Sequence, residues 1–432
     1  MTTLLGVMRR NTELGLMVMA AVLTAGAYAL AGLGRSASLP ANLIPFLLVI
    51  LGLLAVAHVA TRHFAPSADG ILLPLAGLLN GVGYVFIARL DPDLAAFQAM
   101  WTALGVGAFV ATLALVRRAR DIERLRYTFA LIGIGLLLMP LIPGVGQIIN
   151  GARLWVKLGP LTFQPGELAK IALAVFFASY LVEKQPLLAM GTQKVAGIWV
   201  PNVRHFGPIV LAWVFSLVVM FWEKDLGSSL LFFALFITML WVATARNIYL
   251  GIGAAMFAAG AMTAYSVFDH VQTRISILTD PWSVATGAGY QTVQAMFAFA
   301  AGGLAGTNIG QGNPQRIPAV STDFIFAAIG EELGLMGAVA VLMAFLLIVG
   351  AGLRIAMRVE SPFEKLLAAG LTAIIGLQTF IILGGVTRLV PLTGITLPFV
   401  SYGGSSLISN YILLALLLRI SADDVERKAG LA

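Results

Sequence analysis

Charge is scarce along this chain, and that limits its fold more than any other feature. Asp, Glu, Lys and Arg make up 11% of 432 residues, against about 25% in water-soluble domains. Such a chain cannot cover a water-facing exterior, so its solvent must be mostly lipid. Apolar runs bounded by charge, Gly and Pro fall at 13–34, 41–60, 70–88, 96–116, 128–143, 166–183, 207–222, 228–244, 247–267, 323–353, 362–386 and 405–420. A helix needs roughly 20 apolar residues to cross a bilayer. The runs therefore predict an all-α polytopic integral membrane protein of about 12 transmembrane helices with no soluble domain between them. The first run resembles a signal peptide, with Arg9-Arg10 before it and Ala29-Leu30-Ala31 near its end. It is longer than the usual 7–15 apolar residues of such a leader and reads as an uncleaved first helix.

The net charge of +7 reflects topology rather than a nucleic-acid partner. With both termini in the cytoplasm, 18 of 27 Lys and Arg fall on inside segments, 8 outside, and Lys170 within a span. That asymmetry is the one that orients membrane proteins, and the basic excess also favours contact with anionic membrane lipids. The chain has no Cys, and its four His are dispersed. Disulfides and thiolate metal sites are excluded, and no paired-His ligand spacing occurs.

Two outside segments, about 144–165 and 268–322, are longer than connectors need to be, and loops beyond about 12–15 residues are usually functional. The second holds Met296–Leu304, apolar and Gly-rich but too short to span, which reads as a re-entrant or interfacial segment. Ionisable groups at membrane depth are costly and mark candidate sites. Asp323 opens the tenth run in Ser321-Thr322-Asp323-Phe324-Ile325-Phe326. There Thr322 or Asp323 could cap the helix, or Asp323 could act as a base taking a proton from a sugar hydroxyl. Glu331 lies about 12 Å further along the helix at 1.5 Å per residue, too far for a glycosidase-type pair. Glu331 or Glu332 is expected to pair with a polar group inside the bundle. Glu167 and Lys170, three apart on one helix face, suit either an internal ion pair or a cavity wall with Lys170 facing an anionic headgroup. Arg153, Lys157 and Arg316 are outside cations, which are suited to phosphate but are also ordinary as solvated charge. Glu223-Lys224-Asp225-Leu226-Gly227 reads as a tight turn. The Pro- and Gly-rich stretch 391–406 breaks helix geometry at the outer end of the last run and must line a cavity or pack in protein.

Five ordered motifs across roughly residues 70–420 resemble the SEDS family (shape, elongation, division and sporulation), whose best-known members are RodA and FtsW. They are Asn150-Gly151-Ala152-Arg153-Leu154-Trp155, Phe163-Gln164-Pro165-Gly166-Glu167-Leu168-Ala169-Lys170, Asp225-Leu226-Gly227, Ser321–Phe326 with Gly330-Glu331-Glu332-Leu333-Gly334, and Leu397-Pro398-Phe399-Val400-Ser401-Tyr402-Gly403-Gly404-Ser405-Ser406. The resemblance implies a ten-helix glycosyltransferase membrane domain over 69–432, with 1–68 a two-helix N-terminal extension. It implies a multi-pass protein of the bacterial cytoplasmic membrane that polymerises lipid II into glycan strands on the outer face. The reaction inverts the anomeric centre and releases undecaprenyl diphosphate. Asp323 matches the family's essential aspartate and is the implied catalytic base. Arg153, Lys170 and Arg316 are candidates for the diphosphate, aided by Mg²⁺ or Mn²⁺. Gln291 and Gln294 match the glutamines of the family's long outer loop, and Glu167, Thr322, Ser401 and Tyr402 complete the candidate substrate-binding set. The implied partner is a class B penicillin-binding protein, a transpeptidase, seated by its transmembrane helix against helices ten and eleven.

Three departures stand out. Gly166 replaces a usual Ser, Lys224 a usual Pro, and the basic–Trp pair is spread over Arg153-Leu154-Trp155. The stretch Gly384–Gly394 and the N-terminal extension look more like the RodA-type elongation proteins than the FtsW-type division polymerases. A lipid II flippase is the rival reading from another class. It should carry an internal repeat, and none is seen in the sequence.

Overall fold

In the computed structural model, residues 2–36, 38, 43–149, 151–159, 161–189, 193–195, 198–200, 214–215, 219, 222–223 and 225–430 are described. The helices are α1 (Thr2–Ser36), α2 (Leu43–Phe64), α3 (Leu72–Leu90), α4 (Pro92–Leu115), α5 (Arg126–Leu138), α6 (Gly166–Ala189), α7 (Leu226–Thr244), α8 (Ile248–Val267), α9 (Asp269–Thr279), α10 (Tyr290–Gly302), α11 (Ile325–Arg358), α12 (Pro362–Val386) and α13 (Gly404–Lys428). Eleven stretches among the described residues are long and apolar enough to cross a membrane, and each coincides with an expected span. The remaining expected span, 207–222, lies almost wholly outside the described residues.

The chain divides into two compact units. Unit 1 holds Met1–Arg117, Thr273–Ala351 and Gln378–Ala432; unit 2 holds Arg118–Gln272 and Gly352–Leu377. In unit 1, α13 packs on α4, α1 on α3 and α2 on α4. The two N-terminal helices thus belong to the body of that unit, and the outer end of α1, at Ala31 and Gly34, lies against Ile309 and Gly310. Buried polar contacts tie the helices together, including Glu13 Oε1 with His58 Nδ1 at 2.7 Å and Asn80 Nδ2 donating to Tyr411 OH at 2.8 Å. In unit 2, α5 packs on α6 and α6 on α7.

Two features differ from the sequence expectations. The first is that the outside segment after α5 is a three-stranded antiparallel meander: β1 (Gly146–Ile149), β2 (Ala152–Leu158) and β3 (Leu161–Phe163). Its register pairs Gln147 with Trp155 and Lys157 with Thr162. A second hairpin, β4 (Gln193–Val195) with β5 (Ile198–Val200), follows α6. The other is that α11, at 34 residues, is broken at Gly334, where φ is 65° and ψ −167°. Unbroken, it would measure about 51 Å against a hydrocarbon layer of about 30 Å. The break leaves 325–333 as a short outer segment and 335–358 as the spanning one.

Freed backbone groups at such a break must find partners, and the segment after α10 supplies them. Leu335 N donates to Gly303 O at 2.9 Å, Met336 N to Leu304 O at 3.2 Å, and Thr307 N to Glu331 O at 3.0 Å. A β-carbon at Gly334 would collide with Gly306 N and Leu304 O, so only glycine meets both the backbone angle and the space. Helix α10, 13 residues long, is about 20 Å and too short to span.

Candidate functional site

In unit 1 the site forms where two irregular segments meet. Residues 317–324 run into α11, and 387–403 join α12 to α13. Phe324 is 1% exposed and sits in a cluster with Ala295, Ala298, Ile317, Ala327 and Val386. Anchoring Phe324 there leaves its neighbour Asp323 half-buried, two residues before the first helical residue. Thr322 does not supply the expected cap: its hydroxyl donates to Ala319 O at 3.0 Å. The second segment is stitched to the first. Ser401 Oγ donates to Thr322 O at 2.6 Å and accepts from Leu397 N at 2.9 Å, and Tyr402 N donates to Ser321 O at 2.8 Å. From α12, Gln378 Nε2 holds Thr396 O at 2.9 Å. Gly394 adopts φ 77° and is open to solvent on one side; a β-carbon there would lie 3.6 Å from Asp323 Oδ2.

Thus Asp323, Thr322, Ser401 and Tyr402 come together. Ser401 is buried and braces the two segments, and the backbone of Tyr402 does the same. The Tyr402 side chain is half-buried and hydrogen-bonded to Trp101; burial raises its phenol pKa, with the Trp101 bond opposing. Gln291 lies in the first turn of α10 and its Nε2 reaches Pro318 O at 3.4 Å. Gln294 is one turn on and shares its face, half-buried. Arg316 ends a short 3-10 turn, Pro314–Arg316, and is exposed.

The other carboxylates of α11 are engaged in holding the loop. Arg89 Nε meets Glu332 Oε1 at 2.7 Å, with both side chains buried. Arg89 Nη2 donates to Gly312 O at 2.7 Å, and Glu332 Oε2 accepts from Gly310 N at 3.0 Å. Glu331 Oε1 accepts from Asn313 N at 2.8 Å. The pairing expected for Glu331 and Glu332 is therefore present, with loop 306–313 as its beneficiary. Nothing in the sequence context of Arg89 singles it out.

Arg153, Glu167 and Lys170 belong to unit 2. Lys170 Nζ meets Glu167 Oε2 at 2.6 Å, an internal i,i+3 pair with both residues buried. Arg153 lies on β2, half-buried, with its Nε buried and lacking a hydrogen-bond partner. Lys157 is exposed. Asp225 caps α7, accepting from Ser228 N at 2.9 Å, so Leu226 and Gly227 of that motif are already the first helical residues. Lys224 lies outside the described residues. Beside this cap, burial first and the Asp225 charge second push the Glu223 carboxyl up to about 8.

The chemistry available in unit 1 is that of one half-buried carboxylate beside an open backbone, held by buried hydrogen bonds. A carboxylate so placed can take a proton from a hydroxyl brought to it. Known proteins match the chain over most of its length. The FtsW/RodA/SpoVE family, described as cell cycle proteins, matches residues 89–426. The peptidoglycan glycosyltransferase RodA of Mycobacterium tuberculosis strain H37Rv is 44% identical over 424 residues, covering 96% of this chain and 90% of that protein. A match so long takes in most of α1 and α2. Stage V sporulation protein E of Bacillus subtilis is 36% identical over 66% of this chain and 76% of its own length. Among solved structures, a chain from a peptidoglycan synthase complex, studied for its coordination of polymerization and crosslinking, aligns with TM-score 0.67 and 27% identity. It covers 83% of this chain and 98% of that one. Thermus thermophilus rod shape determining protein RodA aligns with TM-score 0.58 and 26% identity over 83% of this chain and 97% of that one.

Proposed function

Because this chain belongs to the FtsW/RodA/SpoVE family of cell cycle proteins, we infer from its RodA relatives that it is a multi-pass membrane peptidoglycan glycosyltransferase of the RodA type. The longer and closer match to RodA than to an FtsW relative, 35% identical over 66% of this chain, supports elongation over division. Its substrate is lipid II, at the outer face of the bacterial cytoplasmic membrane. The 4-hydroxyl of the acceptor N-acetylglucosamine attacks C1 of the donor N-acetylmuramic acid. The bond to undecaprenyl diphosphate breaks, and the anomeric centre inverts. Asp323 takes the hydroxyl proton as attack proceeds. The observation that carries this assignment is its half-buried carboxylate next to Gly394, in a turn fixed by Ser401 and Phe324.

The departing diphosphate needs positive charge. Arg316 is exposed in unit 1, and Arg153 and Lys170 are the candidates in unit 2. Gln291, Gln294, Thr322 and Tyr402 are assigned to substrate contact, and Glu167 to it only through the Lys170 it pairs with. Among the described residues no three His, Asp or Glu converge as a metal cage. A Mg²⁺ or Mn²⁺ serving the reaction would therefore be held largely by phosphate oxygens and water, as Mg²⁺ commonly is, where it would neutralise leaving-group charge. The partner is a class B penicillin-binding protein whose spanning helix seats on the exposed apolar face of α11 and on α12. Leu335, Met336, Val339, Leu342, Met343 and Leu346 form that face on α11. The polymerization–crosslinking complex among the structural relatives supports this pairing.

The test is chain growth from lipid II by purified protein in detergent micelles, with and without the partner and with chelator. Micelles have no two sides, so glycan strands formed there can come only from catalysis. A protein that moves lipid II across vesicles yet makes no strands under any of these conditions is a flippase, and the assignment is wrong.

A further inference from the structure

Two arginines outside the proposed chemistry join helix α9 to the loop that carries Gly394. Arg274, on α9, donates from Nη1 to Leu392 O at 2.6 Å. Arg388, in the loop, donates back from Nη2 to Leu278 O at 2.8 Å and Thr279 O at 3.4 Å. Those are the last carbonyls of α9, the groups a helix leaves unsatisfied and a cation favours.

The backbone at Arg388 is itself unusual. Helix α12 ends in a Schellman turn: Leu389 N donates to Gly384 O at 2.7 Å and Arg388 N to Gly385 O at 3.2 Å. The residue at the left-handed position of that turn is usually glycine, but here it is Arg388 at φ 63°. A β-carbon disfavours this conformation, so the arginine stands here against the local preference of the backbone.

What the clasp controls can be followed residue by residue. Leu392, gripped through its carbonyl by Arg274, also packs on the cluster that contains Phe324. Two residues later comes Gly394, next to Asp323 Oδ2. We propose that Arg274 and Arg388 are positioning residues for glycosyl transfer, fixing residues 388–394 and so the space in which Asp323 meets the acceptor hydroxyl. This rests on Asp323 being the base.

The experiment measures kcat and KM for lipid II polymerisation by the purified full-length protein carrying Arg388→Gly, Arg388→Lys, Arg274→Gln or the Arg274→Gln/Arg388→Gly pair, beside Asp323→Asn. Glycine suits the turn, so Arg388→Gly removes the clasp without straining the backbone. The expected result is a fall in kcat of about 10- to 100-fold, the scale of an ångström-sized misplacement, with KM within about threefold. The double variant should fall no further than the worse single one, because both residues act on the same loop. Arg388→Lys should recover part of the loss. The clasp proposal is overturned if the single variants keep kcat within about twofold, if KM rises while kcat holds, or if Arg388→Gly loses activity only by unfolding at the assay temperature. An active Asp323→Asn protein would instead sink the base assignment. An inactive one beside fully active arginine variants would sink the clasp alone.

Discussion

Carboxylates flank the short outer segment of α11 on both sides, and their surroundings differ. At the break, Glu331 and Glu332 are surrounded by donors: Arg89 and the backbone N–H groups of Gly310 and Asn313. They hold a loop against the freed backbone of a split helix. At the outer end, Asp323 is half-buried and borders the open side of Gly394. Membrane depth therefore does not by itself mark a catalytic carboxylate, even though such groups are costly wherever they occur. The difference is one of exposure: Glu331 and Glu332 are buried, whereas Asp323 is half-buried beside the exposed Gly394. Glu167, buried and closed onto Lys170 at 2.6 Å, is a third arrangement, a carboxylate with a cation at hand.

The contrast can be broken by experiment. The largest stability effect is expected at the break. Glu332→Ala leaves Arg89 buried without its carboxylate, a change that typically costs about 3–5 kcal/mol. Thermal unfolding in detergent should show it as a large fall in Tm, with activity per folded molecule changed far less than stability. Gly394→Ala comes next. Its β-carbon meets nothing closer than Asp323 Oδ2, so left-handed strain of about 1–2 kcal/mol is the main stability cost. The sharper consequence should be a loss of kcat, since the methyl group stands at the proposed base. A wild-type kcat with lowered Tm would move the acceptor site away from this face. The smallest stability effect is expected for the double substitution Glu167→Leu/Lys170→Met, because replacing a whole buried ion pair with apolar groups is often neutral. If Lys170 serves the diphosphate, that variant should fold normally yet polymerise poorly; if the pair is purely structural, activity should follow stability.

Much of this was legible in the sequence because lipid imposes a simple code. Apolar length located eleven helices, although α1 begins eleven residues before its run and α13 ends eight residues after its own, and the length of Met296–Leu304 foretold that α10 could not span. Other features were hidden for physical reasons. The break at Gly334 lies within one apolar run, and a run shows no interruption when the freed backbone is satisfied by another segment, here 303–307. Its one trace was excess length. The β-meander could have been found, since Asn150-Gly151 is a strong hairpin signal, and Gly151 does adopt φ 80° between β1 and β2. The motif drew attention to Arg153 and Trp155 instead. The role of Arg388 could not be read at all, because propensity places glycine at that turn and only the distant carbonyls of α9 explain the exception. For the candidate site, sequence supplied Asp323 and its neighbours, while the stitching by Ser401 and the clasp by Arg274 depend on contacts between segments far apart in the chain.

The central claim is that one carboxylate at the outer end of α11 takes the proton in glycosyl transfer. Its most direct test is the initial rate of glycan-strand formation from lipid II by purified Asp323→Asn protein in detergent, matched to wild type for folded content and thermal stability. The account predicts a fall of about 10²- to 10⁴-fold, the usual contribution of general-base catalysis, with the Tm unchanged. Strand synthesis at the wild-type rate would contradict it.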